Sequence, residues 1–288
     1  MHDDEAPRPM WNAGGTLVTA ALARFTDLGF DDEAAGELVT TTARVLAEGL
    51  ARARSVDDVV GAMRSAIKLA SHAVRSVRED REHRALPVLQ AACARGCAHC
   101  CTLHVSISAP EAIVLGAFLR DTTAPDVLAA LRAKLEAFAR AVRPLDQAAR
   151  VRAKLACPLL VDGACSVYPV RPLVCAGASS LDAQACARAL DDPESGIPIE
   201  PIVHGVMRAM QLGLATAISA RALDVGRYEL SGALVIALAP TAASRWLAGE
   251  RIFSRSEADA ATETIARTAQ AFVARDPHLP RGRRKTKK

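Results

Sequence analysis

Eight cysteines are the residues of this 288-residue chain best placed to do chemistry, and all of them lie between Cys93 and Cys186. The first group is Cys93-Ala94-Arg95-Gly96-Cys97-Ala98-His99-Cys100-Cys101. Cys97 and Cys100 have two residues between them, a spacing that lets the backbone curl so that both sulfurs face one ion. Cys93 and Cys101 add two thiols within reach, and Gly96 frees the backbone where the chain must turn. Adjacent Cys100 and Cys101 diverge by about 100° on a helix and about 180° on a strand. They can therefore serve one centre only on an irregular backbone. Otherwise they serve two metals, or different irons of a cluster.

The second group is Cys157, Cys165, Cys175 and Cys186, separated by seven, nine and ten residues. These gaps are too long for local chelate loops and suit ligands brought by a folded loop to a site shared with the first group. Eight thiols could fill two four-coordinate zinc sites, or one four-iron cluster plus a further site. Two other readings compete. Free Cys packs as a small hydrophobe in many cores, and Cys100-Cys101 could form a vicinal disulfide in a thiol redox relay.

Other side chains near the thiols are weaker candidates. Arg171 could offset thiolate charge or brace a loop against carbonyls. Tyr168 reads as loop packing, and His99 and His104 are not needed as ligands beside eight Cys. His204, at the start of an expected helix, reads as a surface or partner-facing residue. Asp31-Asp32 and Asp191-Asp192 read as helix-start or loop acids rather than a catalytic pair. The chain has no Ser-His-Asp order, HExxH, P-loop or dinucleotide fingerprint, so the sequence names no reaction.

Between Cys157 and Cys175, Pro158, Gly163, Pro169 and Pro172 break regular structure and predict an irregular loop that needs an organiser. On either side the pattern is helical. Asp31 to Ala53 and Ser55 to Glu79 carry apolar residues at three- and four-residue spacing, with Ser55 and Asp58 as an N-cap and a first-turn acid. Thr102 to Ser108 alternates Leu103, Val105 and Ile107 with His104 and Ser106, as a short strand would. Ser108-Ala109-Pro110-Glu111 reads as a capping box opening a helix through Arg120. Further helices are expected over Pro125 to Arg143, Pro201 to about Leu223, around Tyr228 to Leu238, and over Ser256 to Ala274. The fold expected is mainly α: a helical frame with an irregular, metal-organised Cys-rich region and at most a short β element.

The run Gly96-Cys97-x2-Cys100-Cys101, then Pro110-Glu111, then Cys157-Pro158-Leu159-Leu160 through Gly163-x-Cys165-Ser166-Val167-Tyr168-x2-Arg171-Pro172-Leu173-x-Cys175, resembles the YkgJ-like cysteine cluster proteins, the zinc- or iron-chelating CxxCxxCC domain. The resemblance spans Cys93 to Cys186. In this chain three residues, not two, separate Cys93 from Cys97. The resemblance implies metal chelation by Cys93, Cys97, Cys100, Cys101, Cys157, Cys165, Cys175 and Cys186, with zinc, iron or an iron–sulfur cluster as the cofactor. It does not supply a reaction. Two alternatives stand beside chelation. One is an iron–sulfur protein in electron transfer or protein modification; the other is a thiol redox or partner-binding module using the basic tail.

Composition bounds the rest. Half of the residues are apolar but only 3% are aromatic, which favours packed helices over an aromatic-rich sheet and excludes a disordered chain. The net charge of +4 is set by the last eight residues, where Arg281, Arg283, Arg284, Lys285, Lys287 and Lys288 meet no acid. Such a cluster could reach nucleic acid, although a solvated terminus explains it too. Expected organisation is a flexible segment over 1–15, one mostly helical domain over 16–278 with its Cys-rich region at 93–186, and a basic disordered tail over 279–288. The acidic N-terminus lacks an apolar stretch after it, so neither a signal peptide nor a membrane span is expected. A cytoplasmic location is expected, where clustered Cys read as metal ligands or redox groups rather than structural disulfides. The partners expected are a metal ion, a protein, and nucleic acid through the tail.

Overall fold

In the computed structural model the residues described are 10–11, 32–94, 96–192, 195–254 and 261–282, with backbone alone at 10–11, 32, 147–148 and 261. Helices dominate them, and their β structure is three two-residue pairings and an isolated bridge between Ser180 and Ile199.

The two long N-terminal helices form where their apolar periodicity requires. Helix α1 spans Asp32–Arg52 and buries Ala35, Val39, Ala43, Leu46 and Leu50, one stripe at three- and four-residue steps. Helix α2 spans Val56–His83. Its expected cap is present: Asp58 N–H donates to Ser55 Oγ at 3.2 Å, and Ser55 N–H donates to the Asp58 carboxylate at 2.9 Å. Helix α3 (Ala109–Thr122), α4 (Pro125–Val142) and α8 (Pro201–Ala220) also follow the sequence expectation closely. Helix α8 is buried nearly all round and packs against α1, α2 and α6 (Leu173–Gly177). Its other neighbour is α11 (Ala261–Arg275). The start expected for that last helix, at Ser256, lies outside the described residues.

Short elements were harder to foresee. The strand expected over Thr102 to Ser108 shrinks to β2, Ser106–Ile107, which pairs antiparallel with β6, Tyr228–Glu229. Helix α9 therefore begins at Leu230 rather than at Tyr228. Four helices had no sequence expectation: α5 (Gln147–Ala153), α6, α7 (Ala183–Arg188) and α10 (Ala242–Leu247). Each is seven residues or fewer, too short for a periodicity argument.

The segment 157–175 is more ordered than the irregular loop its breakers predict. Leu160–Val161 (β3) pairs with Ala164–Cys165 (β4) across Asp162 and Gly163, both at positive φ. That is the two-residue hairpin an Asp-Gly pair favours. A 3-10 turn over Tyr168–Val170 and helix α6 complete the segment.

At the chain ends, Met10–Trp11 (β1) pairs with Ile197–Pro198 (β5) inside the segment expected to be flexible. Beside the expected tail boundary, Leu279 is buried and Gly282 N–H donates to Ala220 O at 2.7 Å. The basic residues from Arg283 onward lie outside the described residues. Among the described residues no helix is long and apolar enough to cross a membrane.

Candidate metal centre

The first four thiols are set by a tight turn. Gly96 has φ +91°, which only glycine adopts without strain, and Cys97 N–H closes on Ala94 O at 3.0 Å. A 3-10 turn over His99–Thr102 then carries Cys100 and Cys101. With three residues per turn, their side chains diverge by about 120°. Cys100 packs with Cys186 against the small apolar cluster of Leu103, Val151, Ala189 and Ile197. Beyond its thiol contact with Cys100, Cys101 has partners of its own: its carbonyl accepts Cys157 N–H at 2.7 Å, and its thiol feels the charges of Cys157 and Cys175.

Cys157, Cys165 and Cys175 gather on the Cys101 side, and Cys175 also has Cys100 as a neighbour. Cys157 O accepts Leu160 N–H at 3.0 Å, and Cys165 pairs with Leu160 in the hairpin, which brings these two Cys together. Cys175, in α6, is surrounded by Cys100, Cys157, Cys165 and Glu111. On the opposite side Ser180 links Cys93 and Cys186. Its N–H donates to Cys93 Sγ at 3.3 Å, and its hydroxyl hydrogen-bonds Cys186. Cys97 is a charge neighbour of both. Ser180 had no sequence signal, because its contacts with Cys93 span 87 positions.

Two buried ionic nodes hold this region to the frame. Glu111, in the first turn of α3, accepts from Ser108 N–H and Oγ at 2.8 and 2.7 Å, as its capping motif predicts. Its other oxygen accepts Leu173 N–H at 2.9 Å, and Arg227 lies at 3.6 Å. One carboxylate thus ties the helix carrying Cys175 to Arg227, the residue just before β6. Arg150 is 3.4 Å from Glu229, stacks on Phe138 at 5.0 Å, and is a charge neighbour of Cys157. Arg171 stacks on the exposed ring of Tyr168 at 4.5 Å and acts on Cys93 and Cys100.

The electrostatics are those of crowded thiols. Burial pushes Cys175 well above its ordinary value, Cys157 up to about 11, and Cys93 and Cys186 upward. A hydrogen bond joins Cys100 and Cys101; it lowers Cys100, helped by Arg171, and raises Cys101. Most of these thiols hold their protons near neutrality, so a cation binding here has to displace them.

The histidines take other roles. His104 Nε2 lies 3.0 Å from Ser106 Oγ. His204 is buried, contrary to the surface position expected, with Nδ1 3.0 Å from Gly177 O and its pKa lowered to about 4 by that burial. It fastens α6 to α8, which is a positioning role rather than a partner-facing one.

Residues 92–189 match the family model described as CxxCxxCC, "Putative zinc- or iron-chelating domain". About a third of the chain is thus similar to this family. No curated protein and no solved structure matches the chain. The CxxCxxCC region supplies a donor set suited to zinc or iron: eight free thiols, seven of them partly buried, from segments brought together by the fold. Among the described residues no three ligand-type side chains already surround a single point. Metal binding here therefore requires the sulfurs to close on the ion.

Proposed function

We propose that the CxxCxxCC region holds zinc or iron in two adjoining four-thiolate centres. Cys93, Cys97, Cys100 and Cys186 form one, and Cys101, Cys157, Cys165 and Cys175 form the other. The observation that carries this reading is the divergence of Cys100 and Cys101 about the 3-10 turn, one packed with Cys186 and the other bonded through its backbone to Cys157. Each group also has its own cation, Arg171 beside Cys93 and Cys100 and Arg150 beside Cys157. A divalent ion with four thiolates carries a net charge of −2, which a nearby guanidinium offsets.

When bound, the metal cross-links the 93–101 turn, the hairpin and helices α6 and α7, and so supports segments with little backbone pairing. The test is metal content in single variants of the full chain. Cys186→Ser and Cys157→Ser should each reduce the metal from about two to about one per chain, since each removes a ligand from a different four-coordinate site. Loss of all metal from either variant would show one shared centre, and unchanged metal in both would remove these thiols from the ligand set.

A further inference from the structure

Helix α2 carries a basic face. From Val59 to Arg78 it has no acidic residue, yet it carries Arg64, Lys68, His72, Arg75 and Arg78. Arg78 is committed to Glu200 at 3.6 Å. Arg64, Lys68 and Arg75 are exposed, and all three line one groove of about 450 Å³. Arg84–Asp80 at 3.4 Å and Arg132–Glu136 at 3.1 Å are exposed arginines that do take a carboxylate one turn away. On the groove the residue one turn after Arg64 is another cation, Lys68, and like charges at that spacing repel.

The floor of the groove is apolar. Met63 and Ile67 come from α2, with Ile67 left 36% exposed, and among the described residues no acidic side chain lines the groove. The opposite wall is Val114 of α3 together with Pro169 and Val170. Those last two residues lie between Cys165 and Cys175, so an occupant touches the Cys-rich segment directly. From Val60 to Arg75 the groove follows roughly 22 Å of helix, the length of six or seven extended residues.

We propose that this groove docks an acidic, partly apolar peptide segment of a partner protein. Its carboxylates meet Arg64, Lys68 and Arg75, and its apolar side chains cover Met63, Ile67 and the Pro169–Val170 wall. A polynucleotide is the poorer match. The floor offers aliphatic carbon where phosphates and sugars would lie, and the nearby Tyr168 ring is already stacked by Arg171. The docking reading does not depend on the metal reading.

Anisotropy of a labelled peptide of about twelve residues, built from repeated Leu-Glu-Glu, tests it on the full, metal-loaded protein. Saturable binding is expected, weakened at least about tenfold in Arg64→Glu/Lys68→Glu and several-fold in Ile67→Ser. Arg75→Glu serves as a second charge variant, and circular dichroism verifies the fold of each. Three results would overturn the proposal: equal binding of the peptide with Ser in place of Leu, tighter binding of oligothymidylate with the same residue dependence, or variants that bind like the parent.

Discussion

Replacing Glu111 with Ala should destabilise the protein by about 3 kcal/mol, the scale expected when one member of a buried ion pair is removed. Glu111 and Arg227 are almost fully buried, at 4% and 7% side-chain exposure. The substitution removes the carboxylate that faces the guanidinium, whose contacts to Ser106 O and Gln211 are to uncharged groups. It also orphans Leu173 N–H at the start of α6 and removes the one oxygen that accepts from both Ser108 N–H and Ser108 Oγ. Glu111→Gln keeps an acceptor but loses the charge, so it should fall between Ala and the parent. Denaturant midpoints on the three proteins measure this order. A loss below about 1 kcal/mol for Ala would mean that the node does not hold α6 to the frame.

The second large effect is the response to metal removal. Structural zinc binding contributes on the order of 10 kcal/mol to small peptides that fold around it. Here part of the organisation comes from the frame instead: the hairpin, Glu111, Arg150 and the His204 contact remain without metal. Chelation under reducing conditions should therefore loosen segments rather than unfold the chain. Amide exchange is expected to rise at least about tenfold over 93–101 and 157–175, while α1, the first half of α2 and α8 keep their protection. Acidification should act in the same direction, because raised thiols such as Cys157 and Cys175 are reprotonated as pH falls and compete with the ion. Unchanged exchange over both segments would mean that the metal does not organise them.

Much of this arrangement could be read from local signals. The Ser55/Asp58 and Ser108/Glu111 caps and the apolar stripes of α1 and α2 each depend on residues a few positions apart, and each is found in the structure. The question posed by adjacent Cys100 and Cys101 was also visible, although its answer needed the 3-10 geometry. Long-range partners were not legible. Nothing near Glu111 in sequence announces Leu173 or Arg227, and nothing near Ser180 announces Cys93. His204 reads as surface or partner-facing from its place at the start of a helix, yet α8 is enclosed on several sides and the ring is buried. The Asp162-Gly163 hairpin signal was present and was outweighed by the surrounding prolines.

The most direct test of the central claim is the metal content of the full chain, purified anaerobically without added metal. Elemental analysis should find zinc or iron at about two per chain, with an iron–sulfur chromophore absent if the metal is zinc. Protein that carries no zinc or iron, and takes up neither when reduced and supplied with it, would contradict the account.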